Sequence, residues 1–328
     1  MQGAPGRPER GSGVRERSTE RRRPRVPPSL LVGIAPVVVF ATIEVIRARP
    51  GDDYERVGLT IPSVVTALLV PEAIAAVALA LVVTGLGWWR IGTIDLRRGA
   101  PGWAAVAPIV ILLIEAGRLA TVAWNGRPLA YFLLLGLATL LVGFFEETMA
   151  RGVLLVGLRR RLPELWVWMV SSAVFGCLHL LNALAGQGLG TTIEQVVFAA
   201  AFGSVLYIAR RLTRTLLVPM LLHAVWDFGV IGAGAAGTSV PLPVVGFLGL
   251  LTFGILVFGV VAAAFVALHT DRPRRLAQRW KHVPPRSAFE APAAVSPHAA
   301  DGPPPSGPVS DGPPPSGPAS DVEPVALG

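Results

Sequence analysis

Three short stretches of this sequence set ionisable side chains among almost wholly apolar neighbours: FFEETMARG at 144–152, FGCLHLLN at 175–182 and HAVWD at 223–227. In the first, Glu147 and Arg151 have the i,i+4 spacing of a helical ion pair, which keeps Glu147 charged and fixed. Glu146 is rotated about 100° from Glu147 and has no cation of its own on that helix, so it is free to face a cavity and take a proton. In the second, Phe175 and His179 share a helix face, with Asn182 one turn further on. In the third, His223 and Asp227 share a face. Each stretch also has a plain reading: a charged helix end meeting water, a satisfied core histidine, an aspartate orienting its own histidine. Read together they have the composition of a hydrolytic site. A glutamate activates water, a histidine shares or relays the proton, and the remaining polar groups stabilise an oxyanion. His179 and His223 are the only histidines between residues 29 and 268.

These groups need elements to position them, and the composition says of what kind. The chain has 328 residues, 52% hydrophobic and 15% charged, against about 25% charged in an ordinary soluble protein. Its charges gather at the ends, leaving an apolar body from 29 to 268. That is the pattern of a polytopic, all-α membrane protein. A bilayer core about 30 Å thick takes roughly 20 apolar residues per helix, and eight stretches qualify: 29–46, 61–87, 102–124, 129–147, 165–182, 191–209, 215–231 and 241–268. The first ends in IRARP without a small-x-small cleavage site, so it reads as a span rather than a removable signal. Residues 1–28, with RRRPR at 21–25, read as a disordered basic tail. Residues 269–328 read as a Pro/Gly/Ser-rich disordered tail that contains DGPPPSGP twice. With both tails in the cytoplasm, 24 of the 29 basic residues fall on the inner side and four on the outer, which sets the expected topology. The bilayer is thus the expected partner, and the basic residues lack the aromatic-interleaved pattern of a nucleic-acid surface.

Other ionisable groups at membrane depth require a partner or a role. Glu115 and Arg118, three apart, can neutralise each other. Glu72, after Pro71, and Glu194, near a helix start, have no chemical partner visible in sequence. Cys177 is the only cysteine, which excludes an intramolecular disulfide and a cysteine metal cluster.

The order EExxxR, FxxxH, HxxxD on successive helices of an eight-helix protein resembles the CPBP, or ABI, family of intramembrane proteases, which includes the type II CAAX prenyl proteases. The resemblance runs from about residue 130 to 230. It implies Glu146 as the general base, His179 as its partner, His223 and Asp227 in the positions of the oxyanion-stabilising pair, and Glu147 with Arg151 as support. Where the prenyl proteases carry asparagine this chain has Asp227, and an ionised carboxylate cannot donate to an oxyanion. Asp227 must therefore be protonated, orient His223 or ligate a metal, and the last keeps a second reading open, in which Glu146, His179, His223 and Asp227 ligate Zn²⁺; without it no cofactor is required.

The expected function is that of an intramembrane endopeptidase acting on membrane-associated or lipidated proteins or peptides, in a bacterial plasma membrane by its Arg-, Ala- and Gly-rich composition. With FFEETMARG at the cytoplasmic end of its helix, substrate is expected from the lipid or the inner face. The alternative is a non-proteolytic transporter or scaffold, since a proton relay also requires Glu and His at membrane depth.

Overall fold

The computed structural model describes residues 24–48, 54–95, 97, 99–238 and 241–280, the side chains at 242 and 271–280 excepted. Eight helices in the described residues are long and apolar enough to cross a membrane: α1 Leu30–Arg47, α2 Ile61–Leu86, α3 Gly102–Thr121, α4 Leu129–Leu158, α5 Glu164–Leu184, α6 Leu189–Thr213, α7 Leu217–Ala236 and α8 Leu242–Trp280. Among these residues there is no strand, only isolated bridges at Ile94–Thr215 and Val122–Thr238. The chain divides into a unit ending at Ala277 and another beginning at Gln278. Both DGPPPSGP repeats and the RRRPR run up to Arg23 lie outside the described residues.

Lipid offers the backbone no hydrogen bonds, so apolar runs of this length satisfy themselves as helices. Local signals set where they start and stop. The Ser29 side chain accepts from the Val32 amide at the start of α1, and Thr60 and Ser63 form a reciprocal capping box at α2. Pro163 bars further helix just before α5. Many large apolar side chains stay exposed on the outward faces, among them Leu81, Leu133 and Phe253, as a bundle in lipid requires.

The largest difference from the sequence reading is α4. Expected to end at 147, it continues to Leu158 through a π-helical segment, Thr148–Leu154, in which the Leu155 amide bonds back to the Ala150 carbonyl. The charges of EETMAR look like a helix end but form a buried pair, so the helix has no reason to stop there. At about 1.5 Å per residue, Glu146 sits about 25 Å from the Leu129 end and about 18 Å from the Leu158 end. It therefore lies well inside the helix and not at a terminus. The last helix likewise continues past 269, to Trp280.

The core is densest where the second halves of α4 and α6 contribute: every residue from Thr148 to Leu158 and from Phe202 to Arg211 is buried. One end of the bundle holds a second buried polar cluster. Asp95, after a short helix Trp89–Thr93, pairs with Arg159 at 3.0 Å. Glu164 receives Arg211 at 2.9 Å and the Tyr207 hydroxyl at 3.0 Å, and also pairs with Arg159. Arg210 is fully buried with Asp95 at 3.9 Å. Arg210, Arg211 and Arg151, which a loop count takes as inner-side cations, thus lie inside helices with their side chains sealed from solvent.

Candidate active site

Glycines set the approach of the helices that build this site. A side chain at Gly143 on α4 would collide with the Met220 carbonyl of α7, so only glycine lets α7 come close enough for its His223 to meet the carboxylates of α4. On α6, a side chain at Gly203 would strike the Arg151 guanidinium, for which that position leaves room.

Glu147 is the hub. Its Oε1 lies 2.8 Å from Arg151 Nη1, with both side chains fully buried, and 3.3 Å from His223 Nδ1, close enough to pair but off the line of a hydrogen bond. Arg151 also lies over the Phe175 ring at 4.1 Å. On its other side, His223 Nε2 faces Asp227 Oδ2 at 3.4 Å and Glu146 Oε2 at 3.8 Å. Phe175 sets its edge against both imidazoles, with ring centres 5.5 Å from His179 and 5.6 Å from His223. The residues differ in access: Glu147 and Arg151 are sealed, whereas the side chains of Glu146 and Asp227 are 20% and 25% exposed. Two adjacent carboxylates therefore have distinct environments, one locked and one open, which is the condition for dividing roles between them.

His179 stands across Phe175 from His223. Its Nδ1 lies 3.1 Å from the Phe175 carbonyl, so the proton belongs on Nδ1 and the lone pair on Nε2. It feels the charges of His223 and Asp227 but makes no ion pair with Glu146 within 4 Å. The proposed zinc set is not assembled. Among the described residues no three His, Cys, Asp or Glu side chains are arranged to hold a metal ion. Asn182, expected near the site as support, donates 3.0 Å hydrogen bonds to Tyr54 and Gln195.

Several residues near the site were not legible as its members. Glu72 of α2 feels the charges of Glu146, Asp227 and His223, and its Oε2 is buried without a hydrogen-bond partner; as an ionisable group in a span it was noticeable, but its partners lie far along the chain. Tyr54, in a short 3-10 turn between α1 and α2, is within electrostatic range of Asp227 and Glu146, and nothing in its sequence neighbourhood signals this. Glu115 pairs with Arg118 at 3.1 Å as their spacing allows. Glu194 instead lines a large, mainly apolar cavity of about 940 Å³ bordered by Arg118, Phe198, Trp226 and α8. Cys177, on α5, is exposed.

Residues 128–229 match the family described as type II CAAX prenyl endopeptidase, Rce1-like. This part of the chain is CAAX protease-like. The match starts just before α4 and stops just after Asp227, so it spans every side chain of the Glu146–Glu147–Arg151–Phe175–His179–His223–Asp227 constellation. The family is one of proteases, and eight apolar helices make the chain a multi-pass membrane protein. No curated protein matches the chain.

Proposed function

We propose that the chain is an intramembrane endopeptidase in which Glu146 activates water, acting on membrane-associated or lipidated protein or peptide substrates. The observation that carries the reading is the pairing of an accessible carboxylate, Glu146, with a sealed Glu147–Arg151 pair next to it and an imidazole reaching both glutamates.

In the proposed reaction a water molecule donates hydrogen bonds to Glu146 and to the unprotonated Nε2 of His179. Its oxygen bonds to the scissile carbonyl carbon as its proton passes to Glu146. The tetrahedral intermediate then breaks its C–N bond, Glu146 returns the proton to the departing nitrogen, and a carboxylic acid and an amine leave. His223, held between Glu147 on one side and Glu146 with Asp227 on the other, fixes the positions of the carboxylates and offsets their charge. No step of this proposed reaction needs a metal.

For orientation, removing the buried Arg151, Arg210 and Arg211 from the loop count leaves the basic bias with the same sign, so both tails are proposed to be cytoplasmic. On that orientation the polar groups bordering the site, Asn182, Gln195 and Tyr54, lie toward the outer face, and the inner end carries the packed Asp95–Glu164 cluster. Access from the lipid is proposed, with Glu146 about 25 Å from the outer end of α4 and about 18 Å from its inner end.

The test is mass spectrometry of products from a panel of membrane-tethered and lipidated peptides incubated with purified full-length protein. Cleavage should be lost in Glu146→Gln, strongly reduced in His179→Ala and unaffected by a chelator. Cleavage that survives in Glu146→Gln would refute the reading.

A further inference from the structure

The large cavity walled by α3, α6, α7 and α8 is separate from the candidate active site: none of Glu146, His179, His223 and Asp227 lines it. Its volume of about 940 Å³ is that of a site for a whole small molecule. On its walls Val197 of α6 and Phe253 and Val261 of α8 are 64–66% exposed, so it opens sideways between these two spans, toward hydrocarbon. A cleft with such walls stays dry, and what fills it comes from the bilayer.

Its polar groups gather at one end. Thr121 closes α3 and donates or accepts with Thr238, whose hydroxyl lies 3.3 Å away. Arg118 is one turn before the end of α3, about 5 Å along the axis, and Glu194 is about 8 Å into α6. The headgroup zone on each side of a bilayer is itself about 5–8 Å thick. Away from that end the lining is apolar, with Leu256, Val257 and Val260 among it, and the hydroxyl of Thr252 is spent on the Leu248 carbonyl at 2.7 Å. Along α8 the cavity runs from Val245 to Val261, about 24 Å, against about 15 Å of hydrocarbon in one leaflet. An acyl chain therefore fits along it with its polar end at Arg118 and Glu194.

The charges at that end say which headgroup. Arg118 Nε pairs with Glu115 at 3.1 Å, and the guanidinium carbon lies 5.0 Å from the centre of the Trp226 ring. Its Nη1 and Nη2 make no hydrogen bond among the described residues, which leaves two parallel N–H groups for a phosphate, the anion that arginine binds in bidentate fashion. Glu194 makes neither an ion pair nor a hydrogen bond among the described residues, and a free carboxylate at a membrane interface suits an ammonium. With two carboxylates against one guanidinium, a lipid of net negative charge is disfavoured and a zwitterion matches.

We infer that this cavity is a binding site for a zwitterionic phospholipid with a primary ammonium, the phosphatidylethanolamine type, with its phosphate on Arg118, its ammonium on Glu194 and an acyl chain along α8. The inference goes beyond the endopeptidase reading and does not depend on it.

The experiment is native mass spectrometry of the full-length protein released from nanodiscs of equal phosphatidylethanolamine and phosphatidylglycerol, counting retained lipid and reading the melting temperature for wild type, Arg118→Gln, Glu194→Gln and Gly249→Leu. Gly249 lines the cavity, and a Cβ there would meet nothing within 4 Å; leucine fills the space and is the better helix former. Wild type should retain one phosphatidylethanolamine at about tenfold preference over phosphatidylglycerol, the effect of one charge-assisted contact. Glu194→Gln should lose that preference, Arg118→Gln should retain about tenfold less of either lipid, and Gly249→Leu should retain neither while melting no lower than wild type. No preference in wild type, a preference that persists in Glu194→Gln, or wild-type retention in Gly249→Leu would each overturn the inference. Should Gly249→Leu melt earlier, the Glu194→Gln preference decides alone.

Discussion

At the Asp95 end of the bundle each carboxylate meets a guanidinium at hydrogen-bond distance, whereas around Glu146 three carboxylates and two imidazoles share one arginine among the described residues. Both clusters are buried in helices that face lipid, where an unpaired charge is expensive. The Asp95 cluster offsets that cost with close partners from four segments of the chain: the short helix after α2, the ends of α4 and α6, and the start of α5. The Glu146 cluster leaves two carboxylates half-open and offset mainly by His223. A fold keeps such under-compensated charge where chemistry uses it. Burial of ionisable groups alone therefore does not mark a functional site; the mismatch of charges within it, together with access, does.

Substitutions can break this contrast, and the largest effect is expected where both properties meet. Arg151→Met leaves Glu147 buried without its cation and should cost about 3–5 kcal/mol, abolishing both folding yield and turnover; thermal unfolding in detergent reads the first and peptide cleavage the second. Glu164→Gln should be nearly as destabilising, since Arg159 and Arg211 lose their common carboxylate, yet whatever protein folds should cut at the wild-type rate per molecule.

The Asp95 end should also show an acid response. Burial pushes the Asp95 carboxyl up, but Arg159, then Arg211 and Arg210, outweigh it and hold it well below the usual carboxylate range. A lowered folded value means that the stability it adds is present in full above the ordinary aspartate value near 3.9 and is lost as pH falls through the folded value. The melting temperature of the wild type should therefore decline below about pH 4. Asp95→Asn should start lower at pH 7 and lose the part of that decline owed to this group. A decline of equal size in both proteins would detach Asp95 from the effect. The smallest change expected is Gly203→Ala, whose added methyl presses on Arg151 and should cost about 1–3 kcal/mol, readable as a lower melting temperature with a modest fall in turnover.

The eight spans were legible because lipid imposes length and apolarity on every helix, and these are visible residue by residue. The Glu147–Arg151 pair follows from a spacing of four. What stayed hidden depends on contacts between distant residues. A π-helical segment carries α4 past a charged stretch that looks like its end. Asp95 and Glu164 carry no sign of their pairing in sequence, because counting cations by side of the membrane treats each arginine alone, and only the fold gathers Arg159, Arg210 and Arg211 around them. The Asn182–Tyr54 bond joins residues 128 positions apart, and no periodicity within a helix reports it. The departure at Asp227 was visible as an unmatched residue type.

The most direct test sets Glu146→Gln against Glu164→Gln, measuring turnover per folded molecule and melting temperature for each on the same membrane-tethered peptide. Glu146→Gln is predicted to keep the wild-type melting temperature and lose turnover by about 10³-fold or more, taking general base and local charge together, while Glu164→Gln melts earlier and turns over normally. Full turnover in Glu146→Gln, or a folded Glu164→Gln that no longer cuts, would contradict the assignment of chemistry to one cluster and stability to the other.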